Sequence, residues 1–234
     1  MNRSSLWPYL LQGLLALALP IFLIGVNMRL TTSHWFVQRE YRKVDFPSDP
    51  YGLSTAERIR LAEACVDYLA TDADISLLEN LRLTSGAQAF NARELRHMVD
   101  VQAVYGKLLK SCVAAALALA GGILALLAGG PARRRVLTAF VGGCLLTLGL
   151  LTAIGAIMIL NWGGFFTTFH RIFFEADTWR FQYSDSLIRL FPMRFWRDVA
   201  VTIVGLLLAE IAVIGGTGWV WLKRQRSLNH QAAI

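Results

Sequence analysis

Residues 91–132, NARELRHMVDVQAVYGKLLKSCVAAALALAGGILALLAGGPA, decide the fold. The stretch opens on Asn91 with Glu94 three residues on, a helix-start pairing in which the first side chain caps the new helix and the second reaches back. Charge recurs up to Lys110 and then stops, because Ser111 to Ala132 contains no Asp, Glu, Lys or Arg. About 20 apolar helical residues cross a hydrocarbon core of about 30 Å. One helix is therefore predicted to start in a polar region, pass through His97 and continue into a membrane. On it His97, Asp100, Val101 and Val104 share a side, since residues three and four apart are neighbours.

Three further runs match this one. Leu6 to Met28 and Val136 to Phe169 are free of charge, and Val199 to Leu222 holds only Glu210. The composition agrees, with 55% hydrophobic and 17% charged residues and a mean hydropathy of +0.47, against about 25% charged residues in soluble domains. The predicted fold is mainly α, a four-helix transmembrane bundle with a small, mostly helical extracytoplasmic domain. Its expected divisions are a first transmembrane helix in 1–28, an extracytoplasmic domain in 29–110 and a second transmembrane helix in 111–132. A cytoplasmic turn in 133–135 and a third helix in 136–160 follow. A second extracytoplasmic segment in 161–198, a fourth helix in 199–222 and a cytoplasmic tail in 223–234 complete the chain. The first run is long for a secretory signal and lacks a small-x-small cleavage site, so it is expected to remain uncut, with a bend at Pro20.

Orientation follows from where basic residues lie without acidic company. Arg3, Arg133, Arg134, Arg135, Lys223, Arg224 and Arg226 flank the apolar runs on one side with no Asp or Glu beside them. The other 16 of the 23 Lys and Arg sit in the two long loops with 15 of the 16 Asp and Glu, and short loops and helix ends weigh most in setting topology. Both termini and the Arg triplet are thus predicted to be cytoplasmic, and both long loops to face outside. The net charge of +7 then reports topology, and nucleic acid is excluded as a partner, because the one dense basic run is a membrane turn.

Within the outer part, Ser54-Thr55-Ala56-Glu57 reads as a capping box, and Ile59, Ala62, Cys65, Val66 and Leu69 fall on one face of the helix it opens. Cys65, Cys112 and Cys144 show no disulfide framework and are read as buried hydrophobes. Gly121, Ala125 and Gly129 form a small-residue row suited to helix contact. Asn161-Trp162-Gly163-Gly164 is expected to end the third helix. The aromatic-rich stretch after it mixes Phe and Trp with Arg171, Arg180 and Arg189, as at a headgroup belt, and Leu187 to Trp196 reads as an interfacial segment. A groove for lipid chains beside a charged region would use the same residue types.

Chemistry points to histidine, whose ordinary pKa lets it exchange protons near neutrality. His97 and His170 lie where long polar loops meet apolar runs, whereas His34 and His230 have no companions in the sequence. Glu210, halfway along the fourth run, is expected to be a protonated or hydrogen-bonded structural carboxyl. There is no Walker-type run, no His-Glu-x-x-His pair and no Gly-x-Ser-x-Gly nucleophile motif.

Tyr51-Gly52-Leu53-Ser54, the helix towards Tyr68-Leu69, His97-Met98-Val99-Asp100-Val101 and Phe169-His170-Arg171-Ile172-Phe173-Phe174-Glu175-Ala176-Asp177-Thr178-Trp179 resemble the Lit family of bacterial lipoprotein intramolecular transacylases. The resemblance covers essentially the whole chain in the order of four spans, a large first loop and a shorter second one. The family patterns are HMxDVK and FHxxFFxxDxW, and this chain departs at Gln102, where Lys is expected, and at Ala176, where Asn is expected.

The resemblance implies a multi-pass cell-membrane acyltransferase acting on diacylglyceryl-modified lipoproteins. The sn-2 acyl chain of the diacylglyceryl-Cys would move to the N-terminal amine of the same molecule, giving the N-acyl lyso-form. Membrane lipid would surround the site, which would sit at the extracytoplasmic surface. Conversion of ester to amide runs downhill, and donor and acceptor share one molecule, so no cofactor and no metal are expected. His97 and His170 would be catalytic, with Asp100, Asp177 and Arg171 in support. Two alternatives stand beside this reading. One is a metal-dependent membrane lipid hydrolase using His97, Asp100, His170 and Asp177 or Glu175; the other is a non-enzymatic lipid- or partner-binding membrane protein.

Overall fold

The computed structural model describes residues 6–128, 131–174 and 178–231. Among them it contains α1 (Trp7–Thr31), α2 (His34–Tyr41), α3 (Thr55–Ala70), α4 (Ser76–Glu79), α5 (Ala92–Leu127), α6 (Pro131–Leu160), α7 (Trp162–Phe173), α8 (Ser186–Leu190) and α9 (Met193–Gln231). Four of these, α1, α5, α6 and α9, are long and apolar enough to cross a membrane. The chain divides into two compact units. One comprises Met1–Asn27, Lys110–Ile157 and Val204–Ile234, and the other Met28–Leu109 and Met158–Ile203. The second unit contains both expected outer loops almost residue for residue.

The apolar unit holds the bulk of the four long helices. Here α1 continues through Pro20 as one helix. Its contacts are close: a Cβ built on Gly25 would meet the Cys112 Cβ at 2.5 Å, and one on Gly143 would meet the Leu19 Cβ at 2.9 Å and the Ala16 carbonyl oxygen at 3.0 Å. Backbones approach this closely in lipid because nothing else drives apolar helices together. The row expected from Gly121, Ala125 and Gly129 needs correction. Gly121 has open space around it, the packed glycine is its neighbour Gly122 against Leu15, and Gly129 lies outside the described residues. One residue is about 100° around a helix, so the contact face is turned by that much from the expected one. The polar pair of this unit is Asn27, whose amide donates to the Glu210 carboxylate at 3.0 Å, as expected for a structural carboxyl.

Two boundaries differ from expectation. Arg133, Arg134 and Arg135 are not a turn but the first helical turn of α6, which Pro131 opens; proline favours that position, where its missing N–H costs nothing. Asn161 does not simply end a helix. Its side chain accepts from the Gly164 N–H and caps α7, so a second, short helix begins where the third was expected to end.

The other unit packs around α3. Leu61, Cys65 and Tyr68 join Leu78, Phe90, Met98, Leu187 and Leu190 in one core, while Ala62 and Val66 face Val37 and Tyr41 in another. The helix is thus buried on two sides, wider than the single face its periodicity suggested. Leu187 and Leu190 are core residues at 5% and 0% exposure, so Leu187 to Trp196 is not an interfacial segment at its start. Its charge points inward: Arg189 grips Asp49 with two hydrogen bonds, of 3.0 and 2.8 Å. Asp49 also accepts from the Tyr51 and Leu53 N–H groups, around Gly52 at a φ of +93° that glycine alone adopts freely. The Arg189 guanidinium holds the Asp49 carboxyl below its usual range.

Both helix-start motifs form, one completely. Asn91 accepts from Arg93 and Glu94 N–H, and Glu94 accepts in return from Asn91 N–H at 2.8 Å. The second Glu94 oxygen accepts from Leu187 N–H at 2.7 Å, tying α8 to the start of α5. At α3, Ser54 caps Glu57 N–H, but the Glu57 carboxylate turns away to accept from Thr84 N–H at 2.6 Å. Gln102 donates to the carbonyls of Tyr68 and Ala73, each at 2.9 Å, so at this departure from the family pattern the side chain clamps α5 to the end of α3.

Candidate active site

His97 lies in the second turn of α5, N-terminal to the apolar run that begins at Ser111, and His170 lies in the last turn of α7. Their ring centroids are 6.2 Å apart with planes inclined by 19°. Phe174 and Phe181 stand edge-on to His97 at 4.9 and 5.3 Å. Phe166, Phe174 and Trp179 pack on His170 at 3.9, 5.2 and 4.9 Å. The capped start of α7 explains why Phe166 takes part: it is four residues before His170, hence directly above it on the helix.

The tautomer of His170 is fixed by its neighbour. Its Nδ1 is 2.7 Å from the Phe166 carbonyl oxygen, and a carbonyl only accepts, so Nδ1 carries the proton and Nε2 bears the lone pair. Burial among these rings lowers the His170 pKa from its ordinary value, although the Phe166 carbonyl works against the shift. Burial, and next the nearby His170, pushes His97 down to about 4. Both imidazoles are therefore neutral at pH 7, the state required of a base. The His97 Nδ1 is buried with no hydrogen-bond partner, an orphan polar atom facing an otherwise apolar cage.

Asp100, expected in support of His97, accepts from the Thr178 hydroxyl at 3.1 Å. Thr178 directly precedes Trp179, so this bond joins the α5 face that bears His97 to the residue stacked on His170. Arg171 is exposed. Asp177 and Glu175 lie outside the described residues. Among the described residues no three His, Cys, Asp or Glu side chains are grouped to hold a metal ion.

The chain matches the family described as lipoprotein intramolecular transacylase Lit over residues 13–196. It belongs to the Lit family. The enzyme is accordingly an acyltransferase of the intramolecular transacylase type, built as a multi-pass membrane protein. An uncharacterized protein of Aquifex aeolicus (strain VF5) is 29% identical over 189 residues, covering 81% of this chain and 84% of the relative. The fold is similar to the in meso structure of the lipoprotein intramolecular transacylase Lit from Bacillus cereus. The TM-score is 0.76 at 18% identity, with 96% of this chain and 100% of the other covered. A structure of that protein carrying a histidine-to-alanine mutation gives a TM-score of 0.71 at 19% identity, over 94% and 96% of the two chains.

Both histidines of the Lit motifs thus come together, from positions 73 residues apart in sequence. Two participants in this site, and one pairing away from it, were missed in the sequence. The Phe166 carbonyl is invisible until Asn161 is recognised as a cap. Thr178 stood inside the quoted motif without an assigned part. His34, read as solitary, pairs with Asp67 at 2.7 Å, a partner 33 residues away that no local pattern brings to it.

Proposed function

We propose that His97 and His170 form the catalytic pair that moves the sn-2 acyl chain of a diacylglyceryl-Cys lipoprotein onto its own N-terminal amine. The observation that supports this most is the pairing itself: two neutral imidazoles side by side in an aromatic cage, one with its lone pair fixed at Nε2. Imidazole takes the proton from the attacking ammonium, the nitrogen bonds to the sn-2 ester carbonyl carbon, and the carbon–oxygen bond to glycerol breaks. The bonded nitrogen gives up a second proton as it becomes the amide; one of the two protons goes to the departing glyceryl oxygen and the other to solvent, so the product is an isomer of the free-amine form of the substrate. General acid–base catalysis of this kind contributes about 10² to 10⁴ in rate, and the shared molecule supplies proximity.

Asp100, held by Thr178 one helical turn from His97, offers negative charge to the imidazolium formed in passing. Arg171, next to His170, is assigned to the developing oxyanion, and Asp177 to the support of His170. The aromatic cage suits acyl chains, so membrane lipid is the surrounding medium and no cofactor enters the scheme. The basic flanks at Arg133 to Arg135 and beyond Leu222 support an extracytoplasmic side for this site.

The test uses purified enzyme in detergent, treated with EDTA and given a synthetic diacylglyceryl-Cys peptide. Conversion to a product of unchanged mass with the acyl chain on nitrogen is expected. Release of free fatty acid, or activity restored only by added metal, would identify a lipid hydrolase instead.

A further inference from the structure

Apart from the histidine pair, the unit formed by Met28–Leu109 and Met158–Ile203 has a cavity of ≈400 Å³, within the range of about 300–1,000 Å³ usual for ligand sites. Pro50, Tyr51, Ile188 and Pro192 make its apolar walls, with Arg58 and Arg189 among the lining residues. Arg58 is 3% exposed, and its charge is met by carbonyl groups. Nε and one Nη donate to the Arg189 carbonyl at 3.2 and 2.7 Å, and the other Nη donates to the Pro47 carbonyl at 2.8 Å. Asp49 is engaged by Arg189, so the cavity holds two guanidinium groups against one carboxylate. Of the five N–H groups of a guanidinium, Arg189 gives two to Asp49 and one to the Ser184 carbonyl at 3.4 Å, which leaves two donors at the lining without a hydrogen-bond partner among the described residues.

We propose that this cavity seats the polypeptide of the lipoprotein substrate just beyond its lipid-bearing cysteine. The inference rests on the transacylase reading above. Its chemistry favours a peptide over an acyl chain: a hydrocarbon has no acceptor for the guanidinium, whereas an extended backbone offers a carbonyl at every residue and packs well on proline and aromatic walls. Continuity with the site supports it. Phe181 touches His97, Tyr183 lines the cavity, and two residues of chain span at most about 7 Å. A cysteine amine at the histidine pair therefore leaves the next residues within reach of the cavity.

The test compares two substrates, a diacylglyceryl-cysteine amide and the same lipid head extended by a short polypeptide. Wild-type enzyme is expected to convert the extended substrate with the higher kcat/KM. Ser48→Trp, at an exposed lining position, and Tyr183→Ala, 79% exposed in the wild type and so safe for folding, are each expected to lower the ratio of the two kcat/KM values about tenfold, through KM. A photoreactive group on the residues after the cysteine should label the cavity wall. Equal kcat/KM for both substrates, or labelling elsewhere with an unchanged ratio in the variants, overturns the cavity assignment and leaves the transacylase reading intact. Conversion of neither substrate by wild-type enzyme removes that reading, and the assignment with it.

Discussion

The two units bury polar groups on very different terms. In the unit of apolar helices, among the described residues, the side-chain to side-chain hydrogen bond between distant elements is Asn27 with Glu210, and close fit is supplied by Gly25 and Gly143 against α5 and α1. In the unit with the histidines, Glu40, Arg58, Glu94 and His97 are all buried. Glu94 and Arg58 are satisfied by backbone groups far away in sequence. Lipid around the first unit gives a polar group no alternative partner, so few are present and shape does the work. In the second a polar core forms, and its Glu94 and Arg58 tie α5, which carries His97, to α8 and α8 to α3.

The largest effect should come from the pair. His97→Ala and His170→Ala are each expected to lower N-acyl lyso-lipoprotein formation by about 10² to 10⁴, read by mass spectrometry of a lipoprotein N-terminus, with expression unchanged. The double variant should be hardly worse than either single one, since groups that act as a unit are not additive. Losses that multiply would mean that the two rings serve separate roles.

Next in size is the tie at Glu94. Glu94→Ala removes the acceptor of the buried Leu187 N–H and of the Asn91 N–H at the helix start, and charged hydrogen bonds of this kind are worth about 1.5–3 kcal/mol each. A loss of about 3 kcal/mol in the stability of the histidine-bearing unit is expected, measured by protease susceptibility of its loops against denaturant. If the four apolar helices lose as much resistance as this unit does, the contrast between the two regions fails.

These unequal effects parallel what could be read in the sequence. The four spans and the helix running from Asn91 through His97 were legible because hydropathy and capping are local signals. The histidine pair was legible through its two motifs. The polar core was not: nothing near Glu94 indicates Leu187, nothing near Arg189 indicates Asp49, and the Glu57 carboxylate abandons its own capping box for Thr84. Such pairs depend on tertiary packing that brings distant N–H groups within reach. The row of small residues in α5 was placed one position off, because periodicity shows that a helix has a close-packed face but not which neighbour turns to it.

Within the apolar unit the expected effect is smaller and strictly local. Gly143→Ala forces a Cβ to 3.0 Å from the Ala16 carbonyl oxygen, and overpacking of this sort costs about 1–3 kcal/mol. Gly121→Ala enters open space and should be neutral, or slightly stabilising through helix propensity. Thermal denaturation of the two variants in detergent separates them. Equal behaviour would show that the close approach of α1 and α6 is not what holds this unit together.

The smallest effect, and the finest test of the contrast, is on proton affinity. The ordinary imidazole pKa is about 6.5, and burial lowers both His170 and His97, the latter to about 4. The sign follows directly. Between pH 6.5 and these lower values the unfolded chain takes up protons that the folded site refuses, so stability falls as pH falls through that window. The same shift keeps the bases unprotonated: an ordinary imidazole would lose about threefold of its neutral form between pH 7 and pH 6, and these two should lose less. Selective labelling of histidine Hε1 in detergent, with resonances assigned through His97→Ala and His170→Ala, gives each midpoint separately from the amine of the substrate. Midpoints below 6.5 for both rings are expected. A midpoint at or above 6.5 for either would mean that water reaches that ring freely, and that the aromatic cage around the pair is not closed.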